Sequence, residues 1–331
     1  MNFNEKVDFL LAHLHNRLSP ANISPKYLRH YICDFIELYT FFYQESVTKS
    51  EILNLFNDHQ FNLAKLGDQN ISGLSTSEID DKKEEELIYL FQCLEYRRDI
   101  LREKYPFIVD NNSIKLKDTL LFSQKIYLVF LFGSNLSIFS EFQSDITSEF
   151  EHISFCILNT MFSVNTEIKQ FGKNSDYTGT AREKIRKLAE DMCIRVDDDA
   201  IASIPSTNQQ ERGLDIIAWV PHQDNIANNM LVYLIQCACG KEWIHKFSEV
   251  FRYLDYFQFK SFQPVGIMAI SYGLNIMGRF EQNDDVVSSK SLMLDRFRLM
   301  EFVQETDCYK IYNLTSLRLL DQLTTSTIQI N

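Results

Sequence analysis

Met230-Leu231-Val232-Tyr233-Leu234-Ile235-Gln236-Cys237-Ala238 is an apolar run with the length and side-chain types of a strand buried within a sheet. Earlier in the chain, Gly213-Leu214-Asp215 opens a second such run, which continues through Ile216-Ile217-Ala218-Trp219-Val220 and ends at Pro221. The polar residues from Asp224 to Asn229 predict a hairpin turn between the two runs. The sequence therefore predicts two adjacent strands, each with one oxygen-bearing side chain, Asp215 and Gln236.

Asp215 and Gln236 are the candidate catalytic and metal-binding residues. A metal-dependent phosphodiesterase holds its cation with hard oxygen ligands on neighbouring strands, where a water is activated and the charge on the phosphate is neutralised. A carboxylate and an amide carbonyl are such ligands. We expect the two side-chain oxygens to share one Mg²⁺ or Mn²⁺ ion, about 4 to 6 Å apart.

The block from Gly213 to Lys246 resembles the PD-(D/E)XK restriction-endonuclease-like superfamily, especially its Mrr-like branch with a G-x-D … Q-C-K pattern. Tyr105-Pro106-Phe107, Tyr127 and Asp295-Arg296-x-Arg298 extend the similarity to a group of uncharacterised bacterial proteins of that superfamily. The resemblance implies a restriction-endonuclease-like fold and a Mg²⁺-dependent DNA endonuclease. It also associates the chain with bacterial defence against phage.

Ala238 stands where the resembled pattern has lysine. That lysine positions the water and counters developing negative charge, which alanine cannot do. The segment from Lys241 to Tyr256 is predicted to be a helix, which can return a lysine to the strand end. Lys241 and Lys246 are therefore candidates for a migrated lysine, with Lys246 preferred because Trp243 is expected to anchor the helix. The alternative is that both lysines are simply solvated.

The helix expected from Ala181 to Met192 supplies two further candidate metal ligands. In the resembled superfamily the first core helix can carry an additional acidic ligand, and this interpretation assigns that role to Glu183 or Glu190. The alternative for Glu183 is a capping box with Thr180, because the two residues have the required spacing. Glu190 can instead be a surface residue.

Composition limits the class of protein. The 331 residues are 45% hydrophobic, which is sufficient for two domains with substantial cores. Seven cysteines without a C-x-x-C pair, and a start at Met1 without a signal-peptide pattern, predict a cytoplasmic location. The apolar run from Ile126 to Phe132 is too short to cross a bilayer, so no membrane association is expected.

The net charge of −12 affects the predicted partners. Non-specific DNA binding depends on neutralising phosphates with Lys and Arg, so an acid-rich chain is expected to bind DNA weakly and with a steep salt dependence. DNA is the predicted substrate, with help from a protein partner. Oligomer formation is left open.

The predicted fold class is α/β with two domains. Helical periodicity predicts an all-helical domain from residue 1 to 170, including a charged helix from Asp81 to Arg102 with Arg97 and Arg98 on its exposed side. A polar, glycine-containing stretch follows, and residues 171–331 are predicted to form the mixed-sheet, nuclease-like domain.

Two hypotheses about function follow from the sequence. One is a metal-dependent endonuclease; the other is a catalytically inactive, nuclease-like scaffold that binds nucleic acid or a partner protein. The sequence lacks the phosphate-binding G-x-x-x-x-G-K-[ST] loop, the G-x-G-x-x-G loop and the G-x-S-x-G nucleophile turn. The missing lysine favours the scaffold, whereas Asp215 and Gln236 favour the enzyme.

Overall fold

The computed structural model describes residues 1–23, 28–68, 70–207, 213–222, 230–259, 263–307 and 313–325. The chain forms two compact units. The first comprises Met1–Ile146, Tyr272–Gln282 and Gln304–Asn331, and the second comprises Thr147–Ser271 and Asn283–Val303. The hairpin turn predicted from Asp224 to Asn229 lies outside the described residues.

The described part of the chain combines helices with short strands. The α-helices are α1 (Phe3–Arg17), α2 (Pro20–Ile23), α3 (Arg29–Tyr43), α4 (Lys49–Asp58), α5 (Thr76–Leu101), α6 (Phe122–Ser134), α7 (Gln143–Met161), α8 (Ala181–Asp191), α9 (Asp198–Ser203), α10 (Tyr253–Tyr256), α11 (Asn283–Ser288), α12 (Arg296–Glu301) and α13 (Thr315–Thr325). The strands are β1 (Val47–Thr48), β2 (Phe107–Val109), β3 (Ser113–Leu116), β4 (Glu167–Gln170), β5 (Ile216–Trp219), β6 (Val232–Ala238), β7 (Val265–Ile270), β8 (Asn275–Ile276), β9 (Arg279–Phe280) and β10 (Leu292–Leu294).

The first unit is mainly helical, as the sequence predicts. Its predicted all-helical character is nevertheless wrong in detail, because β1, β3 and β2 form an antiparallel sheet in that order. These strands are two to four residues long, which is too short for a period-two pattern to be recognised. No helix in the described ranges is both long enough and apolar enough to cross a membrane.

Arg97 lies in the interior of the first unit and not on an exposed face of α5 as predicted. Its Nη1 atom lies 2.8 Å from Asp34 Oδ1 and 2.9 Å from Glu37 Oε1, and both carboxylates are also buried. The Tyr105 hydroxyl donates to Glu37 Oε1 at 2.8 Å. A charge of this kind stays in a core only when it is paired and hydrogen-bonded, which is information that helical periodicity does not contain.

The second unit is built on a five-stranded mixed sheet with the order β10-β7-β6-β5-β4. β5 is antiparallel to both of its neighbours, β4 and β6, and β6, β7 and β10 are parallel. One face of the sheet packs on α8, where Ile185 and Leu188 share a buried cluster with Leu234 of β6. The other face carries Tyr233, whose ring contacts Phe162 just after α7 with 4.8 Å between centroids.

Three features of the second unit differ from the sequence prediction. Its first residue is 147 and not 171, because α7 contributes to the sheet face that carries Tyr233. The helix predicted from Lys241 to Tyr256 is divided into 3₁₀ turns and the short α10. The helix predicted from Leu292 to Phe302 begins as β10, and Asp295 caps the shorter α12.

We expect Arg97→Met to lower the free energy of unfolding by about 3 to 5 kcal/mol, since it leaves two buried carboxylates without their cation. Arg98→Ala is the control on the same helix, because the partly exposed Arg98 pairs with the exposed Asp99 at 2.9 Å and donates to the Val109 carbonyl at 2.6 Å, so its loss should cost less than about 2 kcal/mol. Urea unfolding at neutral pH measures both changes. Equal losses would contradict a special role for the buried cluster.

Candidate functional site

Asp215 directly precedes β5, and an irregularity in the backbone there changes the face of the sheet to which its side chain points. Leu214 and Ile217 both belong to the buried cluster around α8, although residues three apart on a regular strand face opposite ways. The Asp215 amide also donates to the Ile235 carbonyl at 3.1 Å, and Ile235 is already the register partner of Ile216. Asp215 and Ile216 therefore both lie opposite Ile235, as in a β-bulge. As a result, the Asp215 side chain faces α7.

The Asp215 carboxylate converges with that of Glu151 on α7. Asp215 Oδ1 and Glu151 Oε2 each lie 3.0 Å from the point that a Cβ atom would occupy on Gly172. The two oxygens are therefore separated by no more than twice that distance. Both side chains are partly exposed, so this pair of acids is accessible from solvent.

Main-chain hydrogen bonds hold Asp215 in position. The amides of Phe171 and Gly172 both donate to the Asp215 carbonyl, at 2.7 and 2.9 Å, which joins the turn after β4 to the start of β5. The Cys237 amide donates to Asp215 Oδ2 at 2.7 Å. The turn after β4 and the pairing with β6 thus fix the backbone of Asp215, and the Cys237 amide orients its carboxylate.

Burial and the acidic pair raise the pKa of two neighbouring thiols, Cys237 and Cys239. Burial raises the pKa of the Cys237 thiol well above its usual range, and the carboxylates of Asp215 and Glu151 raise it further. Burial also raises the pKa of Cys239 to about 12. Both thiols are free and stay protonated at neutral pH, consistent with the residues serving mainly in packing.

Gln236 lies on the opposite face of the sheet from the acidic pair. It follows Leu234 by two residues and so faces the α8 side, where its Nε2 donates to Glu249 Oε2 at 2.6 Å. Its Oε1 is buried and has no hydrogen-bond partner in the part of the chain that the structure describes. Gln236 lies on β6 as predicted and Asp215 directly precedes the adjacent strand β5, but the structure does not bring their side chains together.

Glu183 and Glu190 also lie away from Asp215, on α8. The capping box is confirmed: Glu183 Oε2 accepts the Thr180 amide at 2.7 Å, and the bonds from the Thr180 amide and hydroxyl lower the pKa of Glu183. Glu190 is exposed. The sequence pattern points to α8 for an additional acidic ligand and gives no signal for Glu151, because α7 has the strongly apolar pattern of a core helix.

The two candidate lysines have different surroundings. Burial lowers the pKa of Lys241, which is partly buried at the start of the segment after β6. Lys246, in the following 3₁₀ turn, lowers the pKa of Cys239, while Glu151 and Asp215 raise it. Lys246 therefore acts on the same thiol as the acidic pair.

Arg296 and Arg298, which belong to the resembled Asp295-Arg296-x-Arg298 segment, both have structural roles. Arg296 is fully buried, and its Nε donates to the Ser271 carbonyl at 2.8 Å. Arg298 donates through Nη1 to the Met293 carbonyl at 2.7 Å. Both guanidinium groups thereby tie α12 to neighbouring parts of the second unit.

A divalent cation fits the chemistry of the acidic pair. Among the described residues, no set of three or more His, Cys, Asp and Glu side chains is arranged as a complete metal site. Asp215 and Glu151 nevertheless converge around the space that glycine leaves at position 172. Mg²⁺ is commonly held by one or two carboxylates and keeps several waters, so two such ligands are sufficient for it.

Comparisons with known proteins do not assign this chain to a family. The chain matches no family model, no curated protein and no solved structure. A functional assignment must therefore rest on the geometry of the site and on the resemblance in the sequence motif.

Gly172→Ala should weaken Mn²⁺ binding, because its Cβ would lie 3.0 Å from both carboxylate oxygens and force them to move. We expect a loss of roughly 10- to 100-fold, the range typical of changes that disturb the support of metal ligands. Gly240→Ala is the control, since nothing lies within 4 Å of its added Cβ. Calorimetric titration with Mn²⁺ measures the affinities, and equal values for both variants and the unmodified chain would contradict the site.

Proposed function

We propose that this chain is a metal-dependent nuclease that hydrolyses phosphodiester bonds in DNA. The observation that supports this most strongly is the convergence of Asp215 and Glu151 beside Gly172. Two carboxylates from different elements, held by main-chain donors and accessible from solvent, are a suitable ligand set for Mg²⁺ or Mn²⁺. Glu151 takes the place that the sequence motif assigned to Gln236.

The order of elements in the second unit also supports the proposal. α7 precedes the antiparallel strands β4, β5 and β6, and a segment of short helical turns leads to β7, parallel to β6. The resemblance to the PD-(D/E)XK superfamily implies this order of helix, antiparallel strands, helix and strand. α8 and α9 are then additions between β4 and β5.

Each residue of the site has a defined part in the proposed chemistry. Asp215 and Glu151 would hold a divalent cation through their carboxylates, and the Cys237 amide keeps the Asp215 carboxylate oriented. When bound, such a cation would supply an activated water and neutralise charge on the phosphate. Lys246 contributes the positive charge that Ala238 lacks and so stabilises the negative charge that develops on the phosphate.

The charge of the chain implies that DNA binding requires assistance. With a net charge of −12 and two acids at the site, the isolated chain repels phosphate until the acids are neutralised. A protein partner with a basic surface would supply the remaining affinity. The resemblance in the motif associates such a complex with bacterial defence against foreign DNA.

A catalytically inactive scaffold is the second candidate. Two observations favour it: Ala238 replaces the motif lysine, and Gln236 is engaged with Glu249 on the other face of the sheet. In this case the second unit binds nucleic acid or a partner protein without cleaving it.

Plasmid nicking with Mg²⁺ or Mn²⁺ tests the proposal. Asp215→Asn and Glu151→Gln should each abolish nicking and Mn²⁺ binding, because each removes one anionic ligand. Glu183→Gln is the matched control, since glutamine preserves a capping box and Glu183 lies away from the site. Mn²⁺ binding without nicking, even with the native partner present, would support the scaffold instead.

Lys246→Ala should slow nicking by roughly 10²- to 10⁴-fold while leaving Mn²⁺ affinity unchanged, because the lysine acts on the phosphate and not on the cation. Lys241→Ala should stay close to the unmodified rate. Single-turnover rates at saturating Mn²⁺ separate the two variants. A larger loss for Lys241→Ala would show that the other lysine performs this role.

A further inference from the structure

A small pocket lies in the first unit, between the end of α3 and the outer face of α4. Its volume is about 210 Å³. This is below the roughly 300 to 1,000 Å³ of pockets that take drug-sized ligands, so it has room for one long side chain. The residues that line it are Tyr39, Tyr43, Val47, Glu51, Asn54, Leu55 and Asp58.

Two tyrosines form one wall of this pocket. Tyr39 and Tyr43 lie one turn apart on α3, and their rings stack with centroids 5.8 Å apart and planes inclined by 14°. Phe35 supports Tyr39 from the preceding turn, at a centroid distance of 6.1 Å. Electron-rich faces of tyrosine attract cations, so the wall is suited to an ammonium or guanidinium group.

Two carboxylates line the opposite wall. Glu51 and Asp58 lie two turns apart on the same face of α4, and no lysine or arginine lines the pocket. Burial raises the pKa of Tyr39, and the nearby Glu51 carboxylate raises it further. The two carboxylates among the lining residues give the pocket a negative electrostatic potential.

The position of Asp58 is unfavourable for its own helix. It is the last residue of α4, where the negative end of the helix dipole disfavours a carboxylate. Glu51, in contrast, accepts the Thr48 amide in a capping box. Across the described ranges, Asp58 forms no ion pair with a lysine or arginine. A cation in the pocket would therefore offset the repulsion between the Asp58 carboxylate and the negative end of the α4 dipole.

We propose that this pocket binds the cationic end of one lysine or arginine side chain from a partner protein. The stacked rings receive the cation on their faces, Glu51 and Asp58 neutralise it, and Val47 and Leu55 contact the alkyl part of the side chain. The net charge of −12 directs basic protein surfaces toward the chain and repels nucleic acid. The proposal does not depend on the nuclease activity.

The test uses a short peptide, acetyl-Gly-Lys-Gly-amide, and its norleucine analogue, which has similar length but no charge. Tyrosine rings are labelled with ¹³C in the full chain, and Tyr39→Phe and Tyr43→Phe assign their signals. We expect the lysine peptide to shift both signals saturably at millimolar concentrations, and the norleucine peptide to bind at least about tenfold more weakly. Added salt should weaken the lysine peptide, since charges at the protein surface are screened.

Asp58→Asn distinguishes recognition from folding. It should reduce the affinity for the lysine peptide several-fold without lowering the unfolding temperature, because it removes an acid from a helix C-terminus. Glu84→Gln is the control, an exposed acid on α5 that does not line the pocket.

Three outcomes would overturn the proposal. Equal binding of the lysine and norleucine peptides would show that the pocket recognises the alkyl chain and not the charge. An unchanged affinity for the lysine peptide in Asp58→Asn would show that this carboxylate does not contribute to binding. Displacement of the peptide by a short single-stranded DNA would assign the pocket to nucleic acid.

Discussion

The offset between β5 and β6 at Asp215 is the constraint on which the candidate site depends. Leu214, Ile217 and Trp219 must all bury their side chains against the α8 side of the sheet. A one-residue change of register moves every side chain to the other face, so a single bulge satisfies the core and also directs Asp215 toward α7. The packing of the sheet thus determines which helix can contribute a second carboxylate.

Two sets of acidic residues in this protein differ in how they are stabilised. In the first unit, Asp34 and Glu37 are fully buried and share the Arg97 guanidinium, so their charges are compensated within the core. In the second unit, Asp215 and Glu151 converge at a partly exposed position beside Gly172. Because a cation from solvent can reach the second pair, the proposed metal site lies there, whereas Arg97 has a structural role in the core.

The evidence for the enzyme and for the scaffold comes from opposite faces of the same strand. On the α7 face, the acidic pair raises the pKa of Cys237 and Cys239, and Lys246 lowers the pKa of Cys239. On the other face, Gln236 donates a hydrogen bond to Glu249. Gly213, with φ +91°, packs against the same glutamate, because a Cβ atom at position 213 would lie only 2.6 Å from the Glu249 Cβ. Ala238, at the motif's lysine position, lies two residues after Gln236 and so on the α8 face of the sheet. The acidic pair of the proposed metal site lies on the α7 face.

The sequence by itself determined the strand that follows Asp215, the strand that carries Gln236, the capping box of Thr180 and Glu183, and the mainly helical start of the chain, because these depend on local patterns of a few residues. Only the tertiary structure decided that Arg97 is buried, that Gln236 and α8 lie on one face of the sheet, and that Glu151 meets Asp215. Pairing across the sheet and the bulge at Asp215 join residues distant in the chain. Hydrophobic periodicity records which side chains are buried but not which partner they are buried against.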